Sequence, residues 1–186
     1  MKRHLVFAVV AAPCFLSQVQ GQLDVTSPGD PITGGQTIGG VFIPATQGTP
    51  VGNANMFPPD STPAFAIDNG FASKYRNFGE ANTGFVVTPF FNRNNGGTFV
   101  TALRFGTGDN SPERDPLTYT LEGTAGDPFT GTYTRIASGS TGLDTDPGRA
   151  TFGPVLTFPG VGAYTSYRVI FPTVRNSAIW VCTLLK

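Results

Sequence analysis

The sequence predicts an all-β protein whose single domain is a β-sandwich. Aromatic residues make up 12% of the chain, with Phe 16, while charged residues make up only 13%. This composition favours a packed core over disorder, and it suits strands. Gly 24 and Pro 16 divide the chain into short segments, and no segment after residue 21 keeps a helical period. Short strands separated by such turns are typical of sandwiches and jelly rolls.

The first residues predict a secretory signal peptide. Lys2 and Arg3 precede an apolar segment over residues 5–16, which is shorter than the roughly 20 residues of a membrane span. Residues 19–21 form an acceptable cleavage site. We therefore expect a signal peptide at residues 1–21, a domain at residues 22–186, secretion to the extracellular space or periplasm, and no transmembrane anchor.

Loss of this segment would remove several kinds of chemistry. His4 is the only histidine, and Cys14 and Cys182 are the two cysteines. A mature chain without His4 and Cys14 has no Ser-His-Asp triad, no histidine-ligated zinc and no internal disulfide. Loss of Lys2 and Arg3 leaves a small acidic excess with no basic run, which argues against nucleic acid as a partner. A glycosidase with paired carboxylates stays formally open, but no spacing pairs two acids, so we predict a protein without catalysis.

The predicted strands begin after the glycine-rich and proline-rich start of the domain. They cover residues 37–43, 84–88, 98–105, 117–122, 133–137, 150–158, 167–171 and 179–185. The clearest is the one in which Leu117, Tyr119 and Leu121 alternate with polar residues, because a half-buried strand has a period of two. Residues 44–63 are predicted to be a long loop. The pattern alone does not give the order of the strands in the sheets.

The turn at Asp68-Asn69-Gly70 is the first candidate site. It follows the apolar residues 65–67, and Ser73 comes five positions after Asp68. A carboxylate, a hydroxyl and nearby carbonyl groups can surround a calcium ion, which takes about 6–8 oxygen ligands. The alternative is a surface turn in which the Asp68 side chain accepts a hydrogen bond from its own backbone. The spacing alone leaves both interpretations open.

The loop over residues 90–97 is the candidate ligand-binding loop. Phe91 offers an aromatic face for the C–H surface of a sugar, while Asn92, Arg93 and Asn94 offer hydrogen bonds to hydroxyl groups. The alternative is a hairpin loop whose phenylalanines cap the core and whose Asn-Gly pair sets the turn.

A second candidate for ligand binding is Arg114, in the charged segment over residues 113–116. Its guanidinium group can donate two hydrogen bonds to a sugar or to a carboxylate ligand. The alternative is that Asp109 or Asp115 pairs with Arg114 and orders the loop before the next strand, which begins at once after Pro116.

Several motifs together resemble a known family. The residues that carry the first motif are Ala66, Ile67, Asp68, Ser73 and Tyr75. They resemble the signature of discoidin-type (coagulation-factor C-type) modules, which belong to the galactose-binding-like β-sandwiches. Residues 109–123, 133–139 and 164–172 are similar to a variant in secreted bacterial proteins. The resemblance covers most of residues 24–177. It implies a jelly-roll sandwich and a secreted carbohydrate-binding module for glycans on a cell surface or extracellular matrix.

The same resemblance implies a structural calcium ion. Its ligands would be the carbonyl groups of Phe65 and Gly70, the Asp68 carboxylate and the Ser73 hydroxyl. In the family, a glutamate on the last strand closes this site, whereas residues 176–186 contain no acidic residue. We therefore expect a weak calcium site or none.

The apolar tail also suggests a rival function. An unpaired strand edge can associate with another chain, and Cys182 would have no partner inside the mature domain. The rival hypothesis is a structural or self-assembling extracellular protein without a sugar ligand, with self-association through the C-terminal tail.

Overall fold

The computed structural model describes residues 24–49, 51–93, 96–176 and 182–184. The predicted signal peptide at residues 1–21 lies outside these ranges and stays a prediction. The described part of the chain contains no helix that is long and apolar enough to cross a membrane.

The described residues form strands and three short 3-10 helices. The strands are β1 (Ile32–Ile38), β2 (Val41–Pro44), β3 (Thr46–Gln47), β4 (Met56–Phe57), β5 (Tyr75–Asn77), β6 (Thr83–Val87), β7 (Ala102–Gly106), β8 (Pro116–Thr124), β9 (Thr134–Ser140), β10 (Phe152–Thr157), β11 (Ser166–Val174) and β12 (Cys182–Leu184). The 3-10 helices are Pro63–Ala66, Phe90–Arg93 and Pro112–Arg114. The predicted all-β class is confirmed.

One large antiparallel sheet dominates the fold. Its six strands lie in the order β2-β1-β6-β11-β8-β9. Two short antiparallel pairs, β7 with β10 and β5 with β12, form the opposite layer. Contacts between aromatic rings join the layers. The ring centre of Phe105 of β7 lies 5.3 Å from that of Tyr119 and 5.7 Å from that of Phe171. The ring centre of Tyr75 of β5 lies 6.4 Å from that of Phe85. These two layers are the predicted β-sandwich.

The core lies between the layers because alternate residues of the central strands point inward. Tyr167, Val169 and Phe171 of β11 are buried in it, together with Tyr119 and Leu121 of β8. Residues two apart on a strand share one face, so the predicted alternation around Tyr119 is confirmed.

The outer face of the large sheet is also covered at its centre. Arg168 of β11 is almost fully buried there, and it pairs with Glu122 of β8 at 2.6 Å. Its guanidinium group lies 4.1 Å from the centre of the Tyr133 ring and donates to the Gly40 carbonyl. Burial raises the pKa of Tyr133 to about 12. The loop before β9 is thereby fixed to the sheet.

The predicted single strand over residues 37–43 is wrong. Two strands, β1 and β2, meet there and pair antiparallel around Gly39 and Gly40, which have φ values of 58° and 84°. Consecutive residues with positive φ form a tight hairpin turn, and glycine adopts that conformation without steric cost. Similarly, the predicted long loop over residues 44–63 contains the short parallel pair of β3 and β4.

The end of the chain returns to the candidate calcium turn. Of the predicted strand over residues 179–185, residues 182–184 are described as β12, and the others lie outside the described ranges. The register places Leu184 opposite Tyr75, Thr183 opposite Arg76 and Cys182 opposite Asn77. The tail strand thus pairs with β5, two residues after Ser73.

Candidate functional site

The Asp68 turn has a defined hydrogen-bonded geometry. The backbone N–H of Gly70 donates to Asp68 Oδ1 at 2.8 Å, and the Ser73 hydroxyl donates to Asp68 Oδ2. Asn69, between them, has a φ of 61°, a left-handed conformation that asparagine tolerates better than most residues. The 3-10 helix Pro63–Ala66 leads into this turn. The Asx turn of the alternative interpretation is therefore present.

The same turn offers part of a calcium site. A Cβ atom on Gly70 would lie 3.1 Å from Ser73 Oγ and 3.3 Å from Asp68 Oδ1. Because glycine has no Cβ atom, these two oxygens have room to lie close to the Gly70 backbone. The donor set fits a hard cation in kind, but it carries a single negative charge. Among the described residues, no group of three or more His, Cys, Asp or Glu side chains is placed to hold a metal ion. The calcium ligands Phe65, Asp68, Gly70 and Ser73 stay a prediction.

An ion pair joins this turn to the loop before Arg114. Lys74, next to Ser73, donates to the Asp109 carboxylate and, at 2.8 Å, to Asn110 Oδ1. The hydrogen bond from Lys74 holds the pKa of Asp109 below its usual range. The Asp68 turn and the Asp109 loop are thus neighbours on one side of the molecule.

The candidate ligand loop begins with a 3-10 helix that exposes two aromatic side chains. Phe90 is 47% exposed and Phe91 is 56% exposed, so neither caps the core as the alternative interpretation required. The buried Asp30 carboxylate accepts the backbone N–H groups of Ser27 and Phe90 at 2.7 and 2.9 Å. This contact fixes the start of the loop. The side chains of Asn92 and Arg93, and the whole of Asn94, lie outside the described residues.

Neither predicted acidic partner pairs with Arg114. Asp109 pairs with Lys74, and Asp115 pairs with Arg149. The nearest acid to Arg114 is Glu113, at 3.6 Å from its Nε atom. That Nε is buried and has no hydrogen-bond partner within the described chain. The predicted pairing is wrong because the Asp115 side chain turns away from its neighbour towards an arginine far along the sequence.

The Asp115 carboxylate is the centre of a charged network that the sequence analysis missed. It is fully buried and accepts two hydrogen bonds from Arg149, at 3.0 and 2.7 Å. Arg175 Nη2 lies 3.6 Å from it and also donates to the Leu143 carbonyl. Asp146 pairs with the exposed side of Arg149, which lowers the pKa of Asp146. Three loops are therefore joined at one buried acid.

The structure separates the two predicted ligand-binding elements. The helix containing Phe91 follows β6, whose last residue pairs with Tyr167 at the start of β11. Arg114 precedes β8, whose first residue pairs with Val174 at the end of β11. Because one strand runs between these points, Phe91 and Arg114 lie at opposite ends of the large sheet and do not form one site.

A cleft opens between β7 and the large sheet. Its volume is about 490 Å³, within the range of about 300–1,000 Å³ that small-molecule sites occupy. Its walls are mostly apolar, and its polar lining includes Asp24, Asn69 and Arg104. Arg104 is exposed, and its guanidinium group lies 3.8 Å from the centre of the Phe152 ring. Phe71, 45% exposed, contacts the same ring edge-on at 4.9 Å.

No motif in the sequence predicts this cluster. Arg104 and Phe152 come together because β7 pairs with β10, and Phe71 joins them from the Asp68 turn. The one local signal is that residues 69–71 continue the Asp68 turn, which the sequence analysis names as a candidate site.

Comparison with solved structures identifies the fold. A family 32 carbohydrate-binding module from Clostridium perfringens, in complex with GalNAc-beta-1,3-galactose, has a TM-score of 0.54 at 11% identity, over 83% of this chain and 89% of that one. The family 32 module of C. perfringens NanJ, in complex with galactose, has a TM-score of 0.50 at 9% identity, over 68% of this chain and 82% of that one. A third family 32 module, from a family 31 glycoside hydrolase of C. perfringens, has a TM-score of 0.51 at 9% identity, over 65% of this chain and 76% of that one.

Sequence comparison adds nothing to this likeness, because no family model and no curated protein matches the chain. Identities of 9–11% leave the fold as the shared property. The chain has the galactose-binding-like, discoidin-type β-sandwich fold of the family 32 carbohydrate-binding modules.

Proposed function

We propose that this protein is a secreted, non-catalytic module that binds glycans on a cell surface or in an extracellular matrix. The observation that carries the proposal is its fold, which it shares with modules whose structures contain galactose and GalNAc-beta-1,3-galactose. The site that we propose first is the end of the sandwich at Phe90 and Phe91.

The exposure of two adjacent aromatic rings supports this location. Large apolar side chains are normally buried, and the Asp30 carboxylate holds this pair at the surface by its hydrogen bond to Phe90. An exposed ring offers a flat apolar face to the C–H groups of a sugar. Arg93, predicted beside it, would donate hydrogen bonds to hydroxyl groups.

A glycan array followed by calorimetry of the best ligand tests the proposal. We expect saturable binding by a monomer, and we expect Phe91→Ala to weaken it at least tenfold. A surface change of this kind usually alters stability by less than about 0.5 kcal/mol, so the melting temperature should stay nearly unchanged. Ile38→Ala is the matched control, because Ile38 is equally exposed, at 55%, and lies at the other end of the large sheet.

Two results would contradict parts of this proposal. Binding that Phe91→Ala leaves unchanged would move the site away from the Phe90 end. The absence of binding to any glycan on the array would contradict the function itself.

A second candidate function is self-assembly. Ile38, Val41 and Ile43 are exposed on the hairpin of β1 and β2, and β2 is an edge of the large sheet. An exposed apolar edge strand can pair with another chain. Light scattering that grows with protein concentration in the absence of glycan would favour assembly, and assembly through the C-terminal tail stays a prediction.

A further inference from the structure

We propose that the cleft beside β7 holds a second carbohydrate subsite, in which Arg104, stacked on Phe152, binds the carboxylate of an acidic sugar. This inference rests on the proposed glycan-binding function and adds a site and a ligand class to it. It is carried by the Arg104–Phe152–Phe71 cluster and by a comparison with two other arginines of the same chain.

Three described arginines lie over an aromatic ring. Arg76 lies 5.9 Å from the centre of the Phe78 ring, Arg168 lies 4.1 Å from that of Tyr133, and Arg104 lies 3.8 Å from that of Phe152. A guanidinium group stacked in this way keeps its N–H groups at its edge, where they form a planar fork for a carboxylate.

In two of these three stacks, a carboxylate of the protein occupies the fork. Asp60 lies 2.8 Å from Arg76 Nη2, and Glu122 lies 2.6 Å from Arg168 Nη2. Within the described residues, no carboxylate lies within ion-pair distance of Arg104. The stack at Arg104 therefore repeats the arrangement without a protein acid, and an external carboxylate would complete it through strong charge-assisted hydrogen bonds.

The surroundings of Arg104 fit a sugar ring better than a simple anion. Phe71 is 45% exposed beside Phe152, so it adds an apolar surface for C–H groups. Asn69 and Asp24 line the same cleft, and their oxygens would accept hydrogen bonds from sugar hydroxyl groups. A ligand with its carboxylate at Arg104 and its neutral hydroxyl groups towards Asp24 avoids contact between like charges.

The local structure also fixes the aromatic part of the subsite. Phe71 comes directly after the Asx turn, in which Gly70 and Ser73 donate to Asp68. Phe152 begins β10 and pairs in register with Gly106 of β7. Both rings are therefore positioned before any ligand arrives, which lowers the entropy cost of binding.

The test uses the full chain and oligosaccharides that end in glucuronic or galacturonic acid, each compared with its neutral methyl ester. We expect the acid to bind at least tenfold more tightly than its ester, and we expect added salt to weaken the binding. Arg104→Gln should lose this preference, and Phe71→Ala should weaken binding of the acid. Arg135→Gln, which removes another exposed arginine from the strand β9, should change the affinity less than twofold.

The melting temperature of each variant confirms that it folds, so that a loss of binding reports on the subsite. Equal affinity for acid and ester, or an unchanged preference in Arg104→Gln, would overturn the inference. If other glycans still bind in that case, the proposed function stands and only the acidic subsite is wrong. If no glycan of any kind binds the wild-type protein, the proposed function fails as well.

Discussion

The two ends of the large sheet are fastened by different chemistry. At the end of β11, the buried Asp115 carboxylate joins three loops through Arg149 and Arg175. At the start of β11, the loop contacts of the described residues involve no charged pair. The Thr88 and Ser166 hydroxyl groups lie 2.8 Å apart, the Tyr167 hydroxyl donates to the Thr98 carbonyl, and the buried Asp30 carboxylate accepts backbone N–H groups. The charged end is closed and cross-linked, whereas the other end exposes Phe90 and Phe91.

This difference separates stability from recognition. A buried acid with charged partners is costly to disturb, because removal of one partner leaves an uncompensated charge. Exposed aromatic side chains contribute little to the core, so a change at Phe90 or Phe91 should cost little stability. We therefore expect mutations at the Asp115 end to act on folding, and those at the Phe90 end to act on binding.

The largest effect is expected for Asp115→Ala. It leaves Arg149 and Arg175 without their shared buried acid, and the loss of one partner from a buried ion pair costs about 3–5 kcal/mol. Urea unfolding measures it. Asp146→Asn is the control, because Asp146 pairs with the same Arg149 from the exposed side, where an ion pair contributes about 0–1 kcal/mol.

Similar costs for these two variants would show that the burial of Asp115 does not matter. The closed character of this end would then need another explanation, such as the packing of the apolar Leu143, which is fully buried beneath the same loops.

A smaller effect is expected at the other end from Asp30→Ala. This buried carboxylate accepts two backbone N–H groups, and a buried donor left without its acceptor costs about 1–3 kcal/mol. Asp30→Asn should lower the free energy of unfolding less, because its amide oxygen still accepts one of these hydrogen bonds. The same urea experiment measures both variants. Because Phe90 is one of the two donors, binding to the Phe90 end should also weaken.

A cost for Asp30→Ala as large as that for Asp115→Ala would contradict the comparison, since both ends would then depend on a buried acid to the same extent. A cost below about 0.5 kcal/mol would mean that water replaces the carboxylate easily, and that the loop is held by other contacts.

The sequence predicted what depends on neighbours along the chain. The alternation of Tyr119 and Leu121 identified β8, and the Asp68-Asn69-Gly70 sequence identified a turn whose hydrogen bonds reach only to Ser73. Local conformation and burial leave a periodic pattern in sequence, and both features were found without knowledge of the sheets.

The rest depended on strands that are distant in sequence. Asp115 pairs with Arg149 rather than Arg114, and Arg104 stacks on Phe152, because of the register between strands. No spacing in a single sequence encodes such a register. The Gly39-Gly40 hairpin is different, because two consecutive glycines between apolar residues are a local hairpin signal, and the prediction of one strand over residues 37–43 does not use it.

The smallest effect is expected at the Asp68 turn, where calcium would add a charged contact to the side that already carries the Lys74–Asp109 pair. With one carboxylate in the donor set, we expect a dissociation constant of about 1 mM, the weak end of calcium sites. Calcium at about 10 mM would then stabilise the fold by about 1.4 kcal/mol, which raises the melting temperature by about 3–6 °C for a domain of this size.

Thermal unfolding with 10 mM calcium and with chelator measures this shift. Asp68→Asn keeps an oxygen that accepts the Gly70 N–H group but removes the charge, so it should abolish the shift. Asp127→Asn is the matched control, because the exposed Asp127 accepts backbone N–H groups from Phe129 and Thr130 in a similar turn. Identical midpoints for the wild-type protein in both solutions would show that the Asx turn is complete without calcium. A submicromolar dissociation constant would show instead that ligands beyond Phe65, Asp68, Gly70 and Ser73 complete the site, and the missing acid of the tail would then have no consequence.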